Sequence, residues 1–282
     1  MNNRKIILNA DGFGKSNSVN KAVLHGYLEG FLTSASLCAN GAAFNPAVNE
    51  IIPECPNLGI GVNLNITNGE ALTKAFMITN KKGFFNKNFL FYLFSSNNNS
   101  ILKQIEFEFR TQIETVMNYT NVSHIDSVDN IHTIPKIFDL TLKLASEYNI
   151  PFVRSCYEEF YFVNSITKYL NYNYSLNFIK WLISNYLSIN NRKLLINSCK
   201  VRTNDYFIGI LYKNLIDSSV LEYALKSIEN EDSVVEISLN PSFSYKQERQ
   251  YKEFIITQDK DLKDKIQRLG FELTNYKKES NA

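Results

Sequence analysis

The sequence predicts a single α/β domain whose parallel sheet closes, or nearly closes, into a distorted (β/α) barrel. Three observations carry that expectation. Short strand-like runs alternate with amphipathic helical stretches from the start of the chain. No clear linker or internal repeat divides the 282 residues. A hydrophobic fraction of 44% can furnish one large core. One domain over 1–282 is therefore expected, with a divergent helical and aromatic insertion around 157–200.

Taken in order, Lys5-Ile6-Ile7-Leu8 reads as a buried strand ending in Asn9-Ala10-Asp11, and Gly12, Phe13 and Gly14 turn the chain. Ser16 can cap a helix on which Val19, Val23, Leu24 and Tyr27 fall near helical spacing. A second strand covers 33–40 and a short helix lies around 46–52. "NLGIGVNLNIT" alternates apolar residues at Leu58, Ile60, Val62 and Leu64, as a third strand would. Residues 70–98 read as irregular and aromatic. A long helix follows over 101–119, then the strand and exit loop "SHIDSVDNIH", a helix over 135–148 and the strand "IPFVRS". "YSLNFIKWLISNYLSI" reads as an amphipathic core or lid helix, and the remaining elements are helices over 218–228 and 259–269 around the strand "SVVEISLN".

The bulk properties exclude several classes of function. A net charge of +2 with dispersed basic residues lacks the footprint of a nucleic-acid binder. The apolar runs at 89–94 and 178–189 are too short or too polar to enter a bilayer as spans, so no membrane insertion is expected. The opening "MNNRKIILNADGFG" has neither the apolar run nor the cleavage site of a signal peptide. Cys38, Cys55, Cys156 and Cys199 have no metal-ligand or redox spacing and read as buried free thiols of a cytoplasmic protein.

In a barrel of parallel strands, chemistry sits at the C-terminal strand ends. That selects Asp11, Asn63, Asn65, the segment from His124 to His132, Arg154 and Asn240. Amides and an arginine beside aromatics suit a hydroxyl-rich ligand, because each hydroxyl needs both donors and acceptors. Asp11 reads either as a ligand-binding or proton-transfer group or as the residue holding the turn. His132 reads as an acid–base group or a satisfied loop histidine, and His124 as a packed strand histidine. Arg154 either pairs with Asp11, which would make both structural, or binds a sugar or anion. Asp126 reads as an orienting carboxylate. The segment itself has no H-x-H or H-x-x-x-H spacing, so it shows no metal affinity by itself.

The ordered motifs "NADGFG", "SNSVNKAV", "GFLTSAS", "NGAAFNPAV", "PNLGIGVNLNITNG", "HIDSVDNIH", "VRS", "TNDYFIG" and "VVEISLNP" resemble those of the YdjC-like carbohydrate deacetylases. The resemblance runs through nearly the whole chain and is weakest over 157–200. It implies a (β/α) barrel of the carbohydrate-deacetylase type, a sugar or N-acetylated sugar derivative as partner, and a divalent metal such as zinc or magnesium, held by one aspartate and two histidines. His124, Asp126, Ser127, His132 and Arg154 match the family pattern, and Asp11 matches its proton-transfer aspartate.

The departures fall on the metal. Gly12 stands where the family has a metal-binding aspartate, and Asn63 and Val128 stand where it has histidine ligands. Asn130 and Asn240 replace two further family histidines. Deacetylation of this type uses the metal to lower the pKa of bound water from roughly 16 to about 7 and to polarise the acyl oxygen. With Gly12, Asn63 and Val128 in place, no cofactor is expected, and the leading reading is a pseudoenzyme of carbohydrate metabolism that binds a sugar without deacetylating it. Ligand contacts are expected from Asn63, Asn65, Asp126, Asp129, Asn130, Arg154 and Asn240. One alternative is an active enzyme: a sugar hydrolase or deacetylase whose metal site is rebuilt from Asp11, Asp129 and His132, or a metal-independent sugar-modifying enzyme using Asp11 and His132. The other is a non-catalytic partner subunit docking through the aromatic segments 76–94 or 157–188. A homo-oligomer is compatible with each.

Overall fold

The axis of the sheet is its first strand, β1 (Asn3–Phe13). The computed structural model describes residues 3–164, 167, 169, 170, 172–195 and 200–280, so Cys199 and part of the 157–200 insertion lie outside the described residues. Cys38, Cys55 and Cys156 are free and buried, as expected.

Strands β2 (Ser34–Leu37), β3 (Gly59–Leu64), β4 (His124–Ser127) and β5 (Phe152–Val153) extend from one side of β1. On its other side stand β7 (Asp232–Leu239) and β6 (Tyr206–Ile208). Every pairing is parallel. The length of β1 lets it hold three partners: β7 along Asn3–Ala10, β8 (Phe271–Thr274) at Arg4–Ile7 and β2 at Asn9–Phe13. The outer strands β5 and β6 do not pair in register; a single bridge, Phe152 to Arg202, lies across the gap. The barrel expectation thus holds in an incomplete, distorted form.

Side-chain parity along β1 separates core from site. Ile6, Leu8 and Ala10 join the large core between sheet and helices, together with Ala35, Ile60, Val62, Ile125 and Ile237. The alternate residues point inside the barrel, as the two-residue period of a strand requires. Of these, Ile7 packs with Phe152 and Tyr276 to close the N-terminal end, while Asn9 and Asp11 are polar and lie nearer the mouth. Gly61 on β3 is required here: a Cβ would lie 2.4 Å from the His124 ring.

Helix α1 (Asn17–Leu28) starts at Ser16, whose hydroxyl accepts the Val19 N–H. A helical segment at 44–54 leads to β3. Helix α2 (Phe89–Ser95) falls inside the stretch expected to be irregular; it is apolar on every side, with Tyr92 buried, so no periodicity marks it. Helices α3 (Asn99–Met117) and α4 (Pro135–Glu147) begin and end within two residues of expectation. The insertion supplies α5 (Tyr172–Leu195), which packs on α4 and on the turn at 128–133. Helices α6 (Ser218–Lys226) and α8 (Lys260–Arg268) start on Asp217 and Asp259, each accepting a first-turn N–H. Helix α7 (Glu248–Ile256) and strand β8 were not anticipated, nor was α9 (Tyr276–Glu279), which brings Tyr276 beneath the barrel.

Candidate functional site

At the C-terminal end of the sheet lies a cavity of about 300 Å³, at the small end of ligand sites. Asp11 and Gly12 from the end of β1, Asn63 from β3, Val128, Asp129 and Asn130 from the turn after β4, and Ser238 and Asn240 at the end of β7 all line it. Lys15, Phe207, Lys213, Gln247 and Gln250 contribute further wall. Asp129 and Asn130 both adopt left-handed backbone (φ 56° and 53°), a conformation that their short polar side chains tolerate better than most.

Beneath the cavity, Arg154 is fully buried among three carboxylates. Its Nη1 and Nη2 donate to the two oxygens of Asp11 at 3.0 and 2.6 Å, a fork-to-fork pair. Its Nε donates to Glu236 at 2.9 and 3.0 Å, and Nη2 also reaches Glu236 Oε1 at 2.5 Å and Asp126 Oδ2 at 2.6 Å. The outer ligands of this cluster are themselves bonded. Ser238 donates to Asp11 (2.9 Å), Ser36 and the Asn63 amide donate to Asp126 (2.5 and 2.6 Å), and the Tyr276 phenol donates to Glu236 (2.5 Å).

The charges respond accordingly. Burial works to raise the Asp11 carboxyl, but the charge and hydrogen bonds of Arg154 prevail and hold it below the usual carboxylate value. Burial wins at Asp126, pushed up to about 7 against the pull of Arg154. Burial also raises Glu236, again with Arg154 opposing. Asp126 and Glu236 thus hold protons more tightly, while Asp11 stays the carboxylate that answers the guanidinium.

The expected site residues divide into two groups. Asp11, Asn63, Asp129, Asn130 and Asn240 meet at the cavity, and Asp126 and Arg154 lie directly below it. His132 and Asn65 are elsewhere. The His132 ring is buried, with Nδ1 2.6 Å from the Ser127 hydroxyl and Nε2 3.1 Å from the Arg154 carbonyl. Burial and the Arg154 charge push it down to about 3, so it is neutral and fixes the backbone that carries Arg154. Asn65 shapes its own loop, accepting the Thr67 and Asn68 N–H groups and donating to Asn40 and to the Asn68 carbonyl. His124 is stacked on Tyr276 at 4.1 Å between centroids, with Ser36 and Ser123 on its two nitrogens, and burial holds it well below the usual histidine range. Asp129 accepts the Thr67 hydroxyl on the cavity rim, and the only carboxylate or histidine cluster compact enough for a metal among the described residues is Asp11, Asp126 and Glu236, with donor atoms within 4.8 Å of one another.

The sequence reading missed Glu236, Ser36, Tyr276, Lys15 and Lys213. Glu236 carried a signal: a lone acid in the apolar run "SVVEISL", in phase with Ser238 and Asn240. Nothing local marked the others.

Residues 5–268 match the sequence profile of the YdjC-like protein family. The chain belongs to that family. A carbohydrate deacetylase of Clostridium beijerinckii is 32% identical over 181 residues, covering 62% of this chain and 71% of that protein. A carbohydrate deacetylase of Thermoanaerobacter pseudethanolicus is 26% identical over 96% of this chain and 97% of its own length. One from Brevibacillus brevis is 36% identical over 149 residues, which is 58% of that protein. The fold is shared with a crystal structure from Enterococcus faecalis V583, provisionally named for cellobiose-phosphate cleavage, at a TM-score of 0.75, 23% identity and 98% coverage of both chains. Among the described residues no helix is long and apolar enough to cross a membrane.

Proposed function

We propose that this YdjC-family chain binds a sugar or sugar-linked ligand in the cavity above Arg154 and does not hydrolyse its amide through a bound metal. The observation that carries this reading is that Gly12, Asn63 and Val128, which stand where the resemblance implies the family's metal ligands, line one common cavity. Glycine and valine offer a cation nothing. The Asn63 amide is engaged at both ends, donating to Asp126 at 2.6 Å and accepting the Cys38 thiol at 3.2 Å.

The acidic cluster below is the other place to test. Asp11, Asp126 and Glu236 converge, but the point they share holds Arg154 Nη2, at 2.5–2.6 Å from an oxygen of each. A guanidinium does not deprotonate to yield its place. His124, which shares the Ser36 hydroxyl with Asp126, has both ring nitrogens facing serine hydroxyls. Neither set of residues fits a divalent ion as they stand.

The polar lining fits a sugar: Asn130, Asn240, Gln247, Gln250 and Ser238 offer both donors and acceptors around a cavity of monosaccharide scale. Two features count against a metal-free acid–base reaction. Asp11 is held as a weak base by Arg154, and His132 is sealed below the cavity. The test is paired: titration calorimetry with N-acetylglucosamine and its disaccharide, and an assay for released acetate with and without added zinc. Binding without acetate release is expected. Zinc-dependent release would overturn the reading, as would the absence of any sugar binding.

A further inference from the structure

The wall of the cavity holds more positive charge than it answers. Its lysines are Lys15 and Lys213, and among the described residues neither ammonium meets a carboxylate. Its carboxylates are Asp11, which Arg154 already holds, and Asp129, which is exposed at the rim. Two cations therefore face a single carboxylate that is not already paired.

Both lysines are set in place by buried groups. Gly12 and Gly14, at φ 79° and 81°, fold the chain so that the Lys15 N–H reaches the Gly12 carbonyl at 3.0 Å. The buried Asn20 side chain clamps this turn, accepting the Gly14 N–H and donating to the Ala43 carbonyl, both at 2.9 Å. Lys15 thus stands at the N-terminal end of α1, whose first turn holds no acid. A cation is disfavoured there, because that end of the helix dipole is itself positive. The loop that bears Lys213 is gripped from behind by Glu158, a fully buried carboxylate that accepts the N–H groups of Gly209, Ile210 and Leu211 at 2.9–3.1 Å. Asn177 of α5 donates to the carbonyl of Lys213 itself at 2.8 Å. At Glu253, which burial pushes up to about 7, the Asn240 N–H and the Lys213 charge pull the other way.

We infer that the sugar bound here carries a carboxylate, seated between the ammonium groups of Lys15 and Lys213. The inference rests on the cavity being a sugar site and names the class of sugar: one with a single acidic group, as in a uronic acid or a carboxyalkyl ether. Such an anion answers both the surplus charge of the wall and the positive end of α1. The charge count chooses a carboxylate over a phosphate monoester. The latter brings about −1.5 to −2 at neutral pH, and its excess would face Asp129. Ser238, Asn240, Gln247 and Gln250 remain for the hydroxyls.

Titration calorimetry at about 20 mM salt, where charges are little screened, tests this with sugars that differ in one substituent. Glucose is compared with glucuronate and glucose 6-phosphate, and N-acetylglucosamine with N-acetylmuramate. At least one of the two carboxylated sugars should bind about tenfold tighter than its neutral counterpart, and the ratio should shrink at about 200 mM salt. Lys15→Met and, separately, Lys213→Met should cut the ratio to about threefold or less. Lys15→Arg and Lys213→Arg, which keep the charge, should restore it, with circular dichroism confirming the fold of each variant. Carboxylated sugars that bind no tighter than neutral ones would overturn the inference and leave the sugar site standing. So would tighter binding of glucose 6-phosphate than of either carboxylate, or a ratio that survives both methionine substitutions. Failure of every sugar to bind would remove the sugar site and the inference together.

Discussion

On the floor of the cavity, Asp11, Asp126, Glu236 and Arg154 answer one another's charge, and serine, asparagine and tyrosine donors meet the carboxylate oxygens that remain. On the wall just above, Gly12, Asn63 and Val128 carry no charge, and the ammonium groups of Lys15 and Lys213 pair with no carboxylate among the described residues. The two layers answer to different constraints. A buried charge must be balanced whether or not the protein performs chemistry, so the floor is fixed by folding energetics. An uncharged wall position has no such balance to keep, although Gly12 and Asn63 are themselves buried.

That contrast can be broken. Arg154→Met leaves three buried carboxylates without a cation, and a loss of about 3–5 kcal/mol is expected, read as a fall of roughly 10 °C in thermal midpoint and a lower urea midpoint. A loss below about 1 kcal/mol would mean the floor is not one charge-balanced unit. The wall should tolerate, and respond to, reconstruction. Combining Gly12→Asp, Asn63→His and Val128→His should tighten zinc binding at least about a hundredfold, near 2.7 kcal/mol, measured by elemental analysis after desalting and by competition with a chelator. Because Gly12 has φ +79°, the aspartate will cost about 1 kcal/mol of stability. A wild-type chain that already retains one zinc, and releases it on Glu236→Gln, would show that the floor itself opens to a metal.

A third prediction concerns protons. His132 is held at about 3, below its ordinary 6.5. Its contribution to stability is therefore complete above pH 6.5 and is lost as pH falls from 6.5 towards 3, where the unfolded chain takes up a proton that the folded one refuses. His132→Asn should flatten that limb by one proton, about 1.4 kcal/mol per pH unit. Glu158 and Glu253, each pushed up to about 7 by burial, act in the opposite sense: their contribution is greatest at low pH and fades as pH rises from 4.5 to about 7. Comparing variant and wild type across this range isolates the histidine. An unchanged slope would place a charged imidazole in the fold. The smallest effect belongs to the wall: Asn240→Ala should weaken sugar binding about fivefold, one hydrogen bond or about 1 kcal/mol, with stability unchanged. Equal affinity would remove Asn240 from the ligand site.

The strands and the long helices were legible because each has a period: alternation in β3, the three-and-four spacing of α3 and α4. Helix α2 was not, since an apolar residue on every side has no period to read. Strands β6 and β8, three and four residues long, are too short to alternate visibly. In the site, Asp11 and Asn240 were legible from their places at strand ends. The location of His132 was not, because a single residue after the tight 128–131 turn can face either way, and here the Ser127 hydroxyl draws it downward. Tyr276 was hidden for another reason: it reaches Glu236 from 40 residues away along the chain, and no local pattern encodes such a contact.

The position of β8 has a consequence for how the molecule is assembled. Strand β1, among the earliest described residues to leave the ribosome, meets β8 at Arg4 and Phe271, and Lys5 pairs with Glu279 across a separation of 274 residues. Its β2 edge can form at once, but the edge that β7 completes and the floor that Tyr276 seals must wait for nearly all of the chain. Contacts this distant make folding slow. During synthesis, the polar interior would stand open to water until the closing segment arrives, with Glu236 hydrated and Arg154 not yet enclosed.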